Sequence, residues 1–355
     1  MIDYIGVNLI GRMVGELGAA TFIERLAAEI EADYRRWDQF EKTARAASHS
    51  DMGVIELMPI SDGRRYSFKY VNGHPKNTAR GLLTVVAFGA LVDVRTGYPI
   101  LLSELTVTTA LRTAAMSALA AKWMARRESR SMALIGNGTQ SEFQALAFHR
   151  MLGIRELRLY DTDTLATEKL EHNLTSTTGL DGLILRRAAS VADAVRDADI
   201  ITTITADKRA ATILTPPMIA PGMHLNVVGG DCPGKTELHR DILLRSDCRV
   251  VVEYAPQARI EGEVQQVPAD FPIIEFSQVL TELRLGRASP LEVTVFDSVG
   301  FALEDYSALR FLHRLLGEYP QWRTQIDLIP DLENPKDLFG GVLGGRRRLR
   351  VRRAA

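Results

Sequence analysis

The stretch Met132–Asp163, MALIGNGTQSEFQALAFHRMLGIRELRLYDTD, decides the fold class of this chain. An apolar run, Met132-Ala133-Leu134-Ile135, enters a glycine turn, Gly136-Asn137-Gly138. A helical segment follows from Gln140 to about Leu152, and a second strand, Leu157–Tyr160, then ends on Asp161. Each part suits a dinucleotide. Gly136 permits the tight turn, Gly138 lets the backbone approach a pyrophosphate, and the new helix aims its free N–H groups and positive dipole end at the same phosphates. Asp161 follows Gly138 by 23 residues, where a carboxylate can accept from a ribose 2′-hydroxyl. The plain alternative is a βα turn with no ligand, and Ser141 in the usual third-glycine position weakens the match. The flanking strand–helix–strand and the acidic strand end favour dinucleotide binding. With Thr162 and Asp163 next to it and no arginine, Asp161 would repel a 2′-phosphate, so the pattern predicts NAD rather than NADP.

Outward from this unit, α/β alternation continues toward residue 303. Strands are expected at Leu183–Arg186, Ile200–Thr205, His224–Val228, Arg249–Glu253 and Thr294–Phe296, with helices at Val191–Asp197, Thr236–Arg245 and Phe301–Leu316. Strands alternating with helices at this spacing predict a doubly wound parallel sheet of Rossmann type. Before it, residues 1–50 read as amphipathic helix, most clearly Phe22–Ile30. Residues 54–100 read as short strands, with a hairpin across Arg95-Thr96-Gly97-Tyr98, which predicts a separate α+β domain. A long Ala-rich helix from about Thr109 to Arg126, capped by Thr108 or Thr109, is expected to bridge the two. The segment Ile326–Phe339 is expected to return to the first domain.

At 355 residues the chain is long enough for two domains with sizeable cores. A hydrophobic fraction of 46%, a charged fraction of 25% and a net charge of −1 are ordinary for a soluble protein and point to no nucleic-acid partner. The local exception is Arg346–Arg353, six arginines in eight residues after a glycine-rich run, so residues 340–355 read as a disordered, solvated extension. The opening residues Met1-Ile2-Asp3-Tyr4 carry no signal-peptide pattern and no window is apolar enough to span a membrane, so a cytoplasmic location is expected. Two cysteines, Cys232 and Cys248, imply no disulfide framework, and the seven histidines show no metal-ligand spacing.

Ligands of open α/β sheets bind beyond the carboxyl ends of the strands, which singles out four loops: Gly136–Gln140, Asp161–Asp163, Thr202–Asp207 and Gly229–Lys235. In the last, two glycines expose Asp231 at a strand tip, where it could serve as a general acid/base or merely cap a helix opening near Lys235. Lys235 at a helix start would work against the dipole, which favours an anion contact. In the first domain Arg45, Lys69 and Arg112 stand out, Lys69 among strand aromatics and Arg112 on an apolar helix. Charges in such settings need anionic partners, and an arginine fork matches a carboxylate; solvated faces are the alternative. Glu56, in an apolar strand, could meet an ammonium group.

Longer strings carry a resemblance. Lys69-Tyr-Val-Asn-Gly-His-Pro-Lys-Asn-Thr78, Leu101–Leu105, Thr109–Ala114, Ile135–Gly138, Gly229-Gly-Asp-Cys-Pro-Gly-Lys-Thr-Glu-Leu238 and Val295-Phe-Asp-Ser-Val-Gly300 resemble the ornithine cyclodeaminase/mu-crystallin family, in particular its bacterial ornithine enzymes. The resemblance runs from about Arg45 to Phe339 and leaves out the arginine-rich segment. It implies a homodimer and a tightly held NAD used as a catalyst. It also implies a cyclising ammonia-lyase that takes L-ornithine to L-proline and ammonia. A lysine cyclodeaminase and an NAD(P)H-dependent ketimine reductase or amino-acid dehydrogenase stay open beside that reading. On matching positions, Arg45, Lys69 and Arg112 would grip the substrate α-carboxylate, and Asp231 would move protons near the amino groups with Glu56 assisting. Thr84, Gly136, Asn137, Gly138, Thr139, Gln140, Asp161, Thr162, Thr202 and Lys235 would line the NAD side. Ser298 would complete that side and Val299 would close the substrate pocket. The expected division is residues 1–120 with 304–355 for substrate binding and dimerisation, and 121–303 for NAD.

Overall fold

The computed structural model describes residues 1–206, 211–230 and 232–343. Asp207, Asp231 and the arginine-rich segment 346–353 lie outside the described residues. Two sheets organise the rest. The first contains β1 (Ile2–Ile5), β2 (Ala46–Ser50), β3 (Gly53–Ser61), β4 (Arg65–Gly73), β5 (Ala87–Asp93), β6 (Pro99–Glu104) and a late strand, β15 (Gln325–Ile326), in the order β15-β1-β6-β5-β4-β3-β2. Pairing is antiparallel except between β1 and β6.

Alternation along β3 and β4 sets the chemistry of this sheet. On β3, Val54, Glu56, Met58 and Ile60 face inward while Ile55 and Leu57 face out; on β4, Ser67, Lys69 and Val71 face inward. Met58 is paired with Lys69 and Glu56 with Val71, so an acid and a base share one buried face. Helices α1 (Val7–Leu17) and α2 (Ala19–Tyr34) precede the sheet strands β2–β6.

Helix α3 (Thr106–Met124) joins the two sheets. It is buried from Thr108 to Ala121, and its alanines let α2 and the first helix of the second unit, α4 (Ser141–Leu152), pack closely on it. Neither Thr108 nor Thr109 caps it. The helix starts at Thr106, and the Glu104 carboxylate accepts from Val107 N at 2.9 Å, Thr108 N at 3.2 Å and Thr108 Oγ1 at 2.8 Å.

The second sheet is wholly parallel. After β7 (Ser131–Ile135) and α4 come β8 (Glu156–Tyr160), α5 (Thr164–Thr175), β9 (Ile184–Arg187), α6 (Val191–Val195), β10 (Ile200–Thr203) and β11 (His224–Val227). Then follow α7 (Arg240–Leu243), β12 (Cys248–Val252), α8 (Ala255–Glu261), β13 (Ile274–Glu275), α9 (Phe276–Leu280) and β14 (Val293–Asp297). The order is β13-β12-β14-β11-β10-β7-β8-β9, so strand order reverses between β7 and β10, and β14 slots between β11 and β12. Helix α10 (Ala302–Glu318) then crosses back over β3, β4 and β5 and against α2. The doubly wound expectation holds.

Four local expectations do not. Residues 1–50 include two strands: β1 is too short to show a period and is held by β6 and β15, while β2 is exposed throughout and is held by β3 alone. Residues 340–342 belong to a short helix, α11 (Leu338–Val342), capped by the Asp337 side chain on Gly340 N, and not to a structureless tail. The helix expected over Thr236–Arg245 shrinks to α7. There the Glu263 carboxylate accepts from Glu237 N at 2.6 Å and Leu238 N at 3.0 Å, and the Glu237 carbonyl accepts from Ile213 and Leu214, which holds residues 236–239 out of a helix. Lys235 is therefore not at a helix start, and the dipole argument for it falls.

Candidate active site

A cavity of about 840 Å³ lies where β7 and β10 part, with the inward face of β3 and β4 at its other end. That is the switch point of a doubly wound sheet, and the volume suits a dinucleotide fragment with a small substrate.

The glycine turn forms one end. Gly136 has φ 97°, and a Cβ on it would lie 2.7 Å from the Ile204 carbonyl oxygen, so the close approach of two strand ends requires glycine. Gly138 differs: a Cβ there would meet nothing within 4 Å. Its bareness serves no packing inside the protein and leaves a cradle in front of the helix N-terminus. Ser141, in the third-glycine position, is fully buried, and its Oγ donates to the Gly138 carbonyl at 2.7 Å, tying turn to helix. Asp161 accepts from Asn137 N at 2.6 Å and Asp163 N at 2.9 Å, which fixes its carboxylate at the end of β8. Thr139, Gln140, Asp161 and Thr162 line the cavity with the two glycines, and Thr84 faces them from the first unit.

Asn137 and Thr202 do not line it. The Asn137 side chain is fully buried, with Nδ2 donating to Thr167 Oγ1 at 2.8 Å, so it supports α5. Thr202 lies within the sheet, its hydroxyl between Met132 Sδ and Asn226 Nδ2. A position in a strand-end stretch does not say which way the side chain turns, and here both turn under the floor.

The other end is a network of buried charge. Arg45 Nη1 donates to Glu56 Oε2 at 3.0 Å, its Nε lies 3.1 Å from Glu261 Oε2, and its Nη2 donates to the carbonyls of Val299 (2.7 Å) and Gly300 (2.6 Å). Lys69 Nζ lies 2.7 Å from Asp305 Oδ2. Arg112 Nη1 donates to Glu304 Oε2 at 2.6 Å, while Nε lies 3.3 Å from Asp305 Oδ1. Arg112 Nη2 makes no hydrogen bond among the described residues, and the residue lines the cavity. Burial pulls Lys69 down to about 8, against the nearby Asp305 charge that holds it up. The structure thus brings Arg45, Glu56, Lys69 and Arg112 together on one wall, with Ser298 and Val299 beside them.

The Gly229–Lys235 loop contributes Gly229 and Lys235 to the cavity lining. Its two glycines have a cause the sequence hid. A Cβ at Gly229 would lie 2.1 Å from Glu237 Oε1, and one at Gly230 would lie 3.0 Å from Glu263 Oε1. Glu237 accepts from Thr205 N (2.9 Å), Thr205 Oγ1 (2.5 Å) and Gly229 N (3.1 Å), clamping the ends of β10 and β11 together. Lys235 is buried, lines the cavity, and donates to the Thr205 carbonyl at 3.0 Å.

Glu237, Glu253, Glu261, Glu263, Glu304 and Asp305 escaped the sequence reading. One signal was present for Glu304 and Asp305, which stand side by side in the otherwise apolar opening of α10, and another for Glu253, which directly ends the run Val250-Val251-Val252.

The "Ornithine cyclodeaminase/mu-crystallin family" matches residues 10–318. The chain is 53% identical over 349 residues to the ornithine cyclodeaminase of Agrobacterium tumefaciens (strain Ach5), covering 98% of this chain and 96% of that protein. Among solved structures it is similar to a lysine cyclodeaminase described in its recognition of L-lysine, L-ornithine and L-2,4-diaminobutyric acid (TM-score 0.87, 27% identity, 95% of this chain and 98% of that one). It is also similar to an archaeal alanine dehydrogenase dimer with bound NAD (TM-score 0.82, 25% identity, 92% and 99% covered).

Proposed function

The chain belongs to the ornithine cyclodeaminase/mu-crystallin family, and from that premise we propose that it converts L-ornithine to L-proline and ammonia with NAD held as a recycled catalyst. The observation that carries this reading is the 53% identity to an ornithine cyclodeaminase over 98% of the chain. The three buried cations at one end of the cavity support it, since an α-amino acid needs a carboxylate grip.

The other end fits the cofactor. Gly138 leaves a cradle that a Cβ would fill, α4 points its N-terminus there, and Asp161 stands at the strand end for a ribose. Bound NAD would accept a hydride from Cα of the substrate and return it to the cyclic imine formed from it. The protein's part is to aim and to exclude. Arg45, Lys69 and Arg112 hold the α-carboxylate, Arg112 through its unbonded Nη2, so that Cα–H points along the cavity. Glu56 receives an ammonium group of the substrate. Asp231 moves protons between the amino groups, a role that rests on the Gly-Gly-Asp-Cys-Pro-Gly-Lys string. With the chain of L-ornithine held at its head, the δ-amine attacks the imine within the same molecule, where proximity replaces a bimolecular encounter. Ammonia then leaves.

In this reading residues 1–120 with 304–355 bind substrate and form a homodimer, and 121–303 hold NAD. The outward face of β3, β4 and β5 supports the dimer: Ile55, Leu57, Tyr66 and Phe88 are exposed on adjacent strands, a patch suited to a second copy. Cys232 and Cys248 are both reduced thiols, which agrees with a reducing, cytoplasmic location. Among the described residues, no helix is long and apolar enough to cross a membrane.

The homologous conversion of L-lysine to L-pipecolate is the second reading, favoured by the TM-score of 0.87 to a lysine cyclodeaminase. One methylene is worth only ~1–3 kcal/mol in a pocket, so the two substrates must be compared directly. Purified protein with catalytic NAD⁺ and L-ornithine is expected to release ammonia and proline in equal amounts with no net change in NADH absorbance. Absence of both products sinks the proposal, faster turnover of L-lysine selects the second reading, and a stoichiometric NADH change makes the protein a net redox enzyme.

A further inference from the structure

Behind the three cations lies a pair of carboxyl groups to which the reading above gives no role. Glu253 directly follows β12 and Glu304 opens α10, and neither has any exposed surface. Glu253 Oε1 accepts from Ser298 Oγ at 2.6 Å and Oε2 from Gly300 N at 2.7 Å, so one side chain holds both ends of the strap Ser298-Val299-Gly300 that follows β14. Arg45 grips the carbonyls of the same strap, and Gln257 Nε2 donates to the Gly300 carbonyl at 2.8 Å. Gly300 has φ 77°, and a Cβ on it would stand 2.9 Å from Arg112 Nη2, so the strap lies directly against that guanidinium. Glu304 holds Arg112 from the other side, and its Oε1 accepts from Tyr34 Oη and Phe301 N, each at 3.3 Å.

Glu253 and Glu304 reach the Arg112 guanidinium from two sides, Glu253 through Gly300 and Glu304 directly. Two fully buried carboxyl groups packed about one guanidinium disfavour carrying two charges at once. Burial raises both above the ordinary carboxylate range, and the charge of Glu253 raises Glu304 further. The charge balance of the wall calls for a proton on one of them. Among the described residues, Glu56, Glu261, Glu253, Glu304 and Asp305 surround Arg45, Lys69 and Arg112. Were every acid ionised, the carboxylates would outnumber the cations and oppose entry of another anion.

We propose that Glu253 and Glu304 form a one-proton carboxyl pair that positions the carboxylate grip, Glu253 by seating the Ser298–Gly300 strap against Arg45 and Arg112, and Glu304 by orienting Arg112. The pair sets how tightly the site holds an amino acid's carboxylate, and in that respect it rests on the reading of the three cations given above. Both are positioning residues, one carried by the nucleotide sheet and one by the helix that returns to the first sheet.

The full-length protein with Glu253→Gln and Glu253→Ala tests this. In Glu253→Gln the amide oxygen can still accept from Gly300 N, while the amide N–H donates to Ser298 Oγ. Every bond survives and no proton is needed. KM for L-ornithine is expected to stay within about threefold of the parent in Glu253→Gln, and to rise about tenfold or more in Glu253→Ala with a smaller change in kcat. The infrared difference spectrum between parent and Glu253→Gln at neutral pH is expected to show the loss of one protonated carboxyl band. An unchanged band overturns the shared proton. A Gln variant as weak as the Ala variant overturns it too, and an Ala variant with parental KM overturns the positioning role. If the Ala variant does not fold, the Gln variant's band still decides. If the parent shows no turnover of L-ornithine, the proposed function falls while the infrared arm, which needs no turnover, still decides the pair.

Discussion

At the proposed nucleotide end of the cavity the protein offers mainly backbone: a glycine turn, a helix N-terminus and one carboxylate pinned by two N–H groups, all within residues 136–163. At the proposed amino-acid end it offers side-chain charge, three cations and five acids drawn from the residue before β2, from β3, β4, α3, α8 and α10, and from the end of β12. A backbone site is sensitive to dihedral angles and to bulk in front of it. A buried charge network is sensitive to deletion, because removing one member strands its partners without water. The two ends should therefore fail in different ways.

The largest expected effect is at the charged end. Arg112→Met keeps an unbranched apolar stem but leaves Glu304 and Asp305 without their guanidinium, and kcat/KM for L-ornithine is expected to fall about a thousandfold. NAD titration of the same variant should give near-parental affinity. A matching loss of NAD binding would mean that the ends are not separate. At the backbone end, Gly138→Ala adds a methyl group into open space, so the melting temperature should move by no more than about 2 °C while NAD affinity drops about tenfold. Gly136→Ala is its counterpart: with φ 97° and the Ile204 carbonyl 2.7 Å away, it should lower the melting temperature by several degrees. Equal thermal behaviour of the two variants would break the distinction.

The smallest effect is a pH dependence confined to one end. Burial lowers Lys69 to about 8, so above that pH the grip loses a charge and KM for L-ornithine should rise, by at most about tenfold per pH unit, with NAD affinity flat. Lys69 is faced by Asp305, Arg112 and Arg45, of which only Asp305 supports its charge. The sign for stability is the opposite of that for binding. Unfolded, the lysine binds its proton up to 10.5, and folded only to about 8, so between those values this group makes the fold more stable as pH rises. A KM that stays constant from pH 7 to 9.5 would remove Lys69 from the grip.

This contrast also explains what the sequence could disclose. The strand, glycine turn, helix and acidic strand end were legible because their signal is local and follows in order along one short stretch. Arg45, Lys69 and Arg112 were legible as cations in apolar surroundings, but their acids were not. Glu304 and Asp305 look like ordinary first-turn acids of a helix, and Glu253 like an ordinary strand end, until the fold brings them behind α3 and β4. The 236–239 segment misled for the same reason: its helix is prevented by Glu263, a residue over twenty positions away that takes two of its N–H groups. Asn137 and Thr202 show the limit of assigning contacts by position, since strand-end residues divide between the cavity and the floor beneath it.

The place of β14 between β11 and β12 has a consequence for how the chain acquires its structure during synthesis. β12 is made well before β14 and has no neighbour on that side until residues 293–297 emerge; β1 likewise waits for β15 to complete its outer edge. Both sheets stay open until these late strands are made, and Lys69 and Arg112 lack Glu304 and Asp305 until residues 304–305 follow. Such late, long-range closure makes folding slow, with the open edge of β12 a point for chaperone capture or for mispairing.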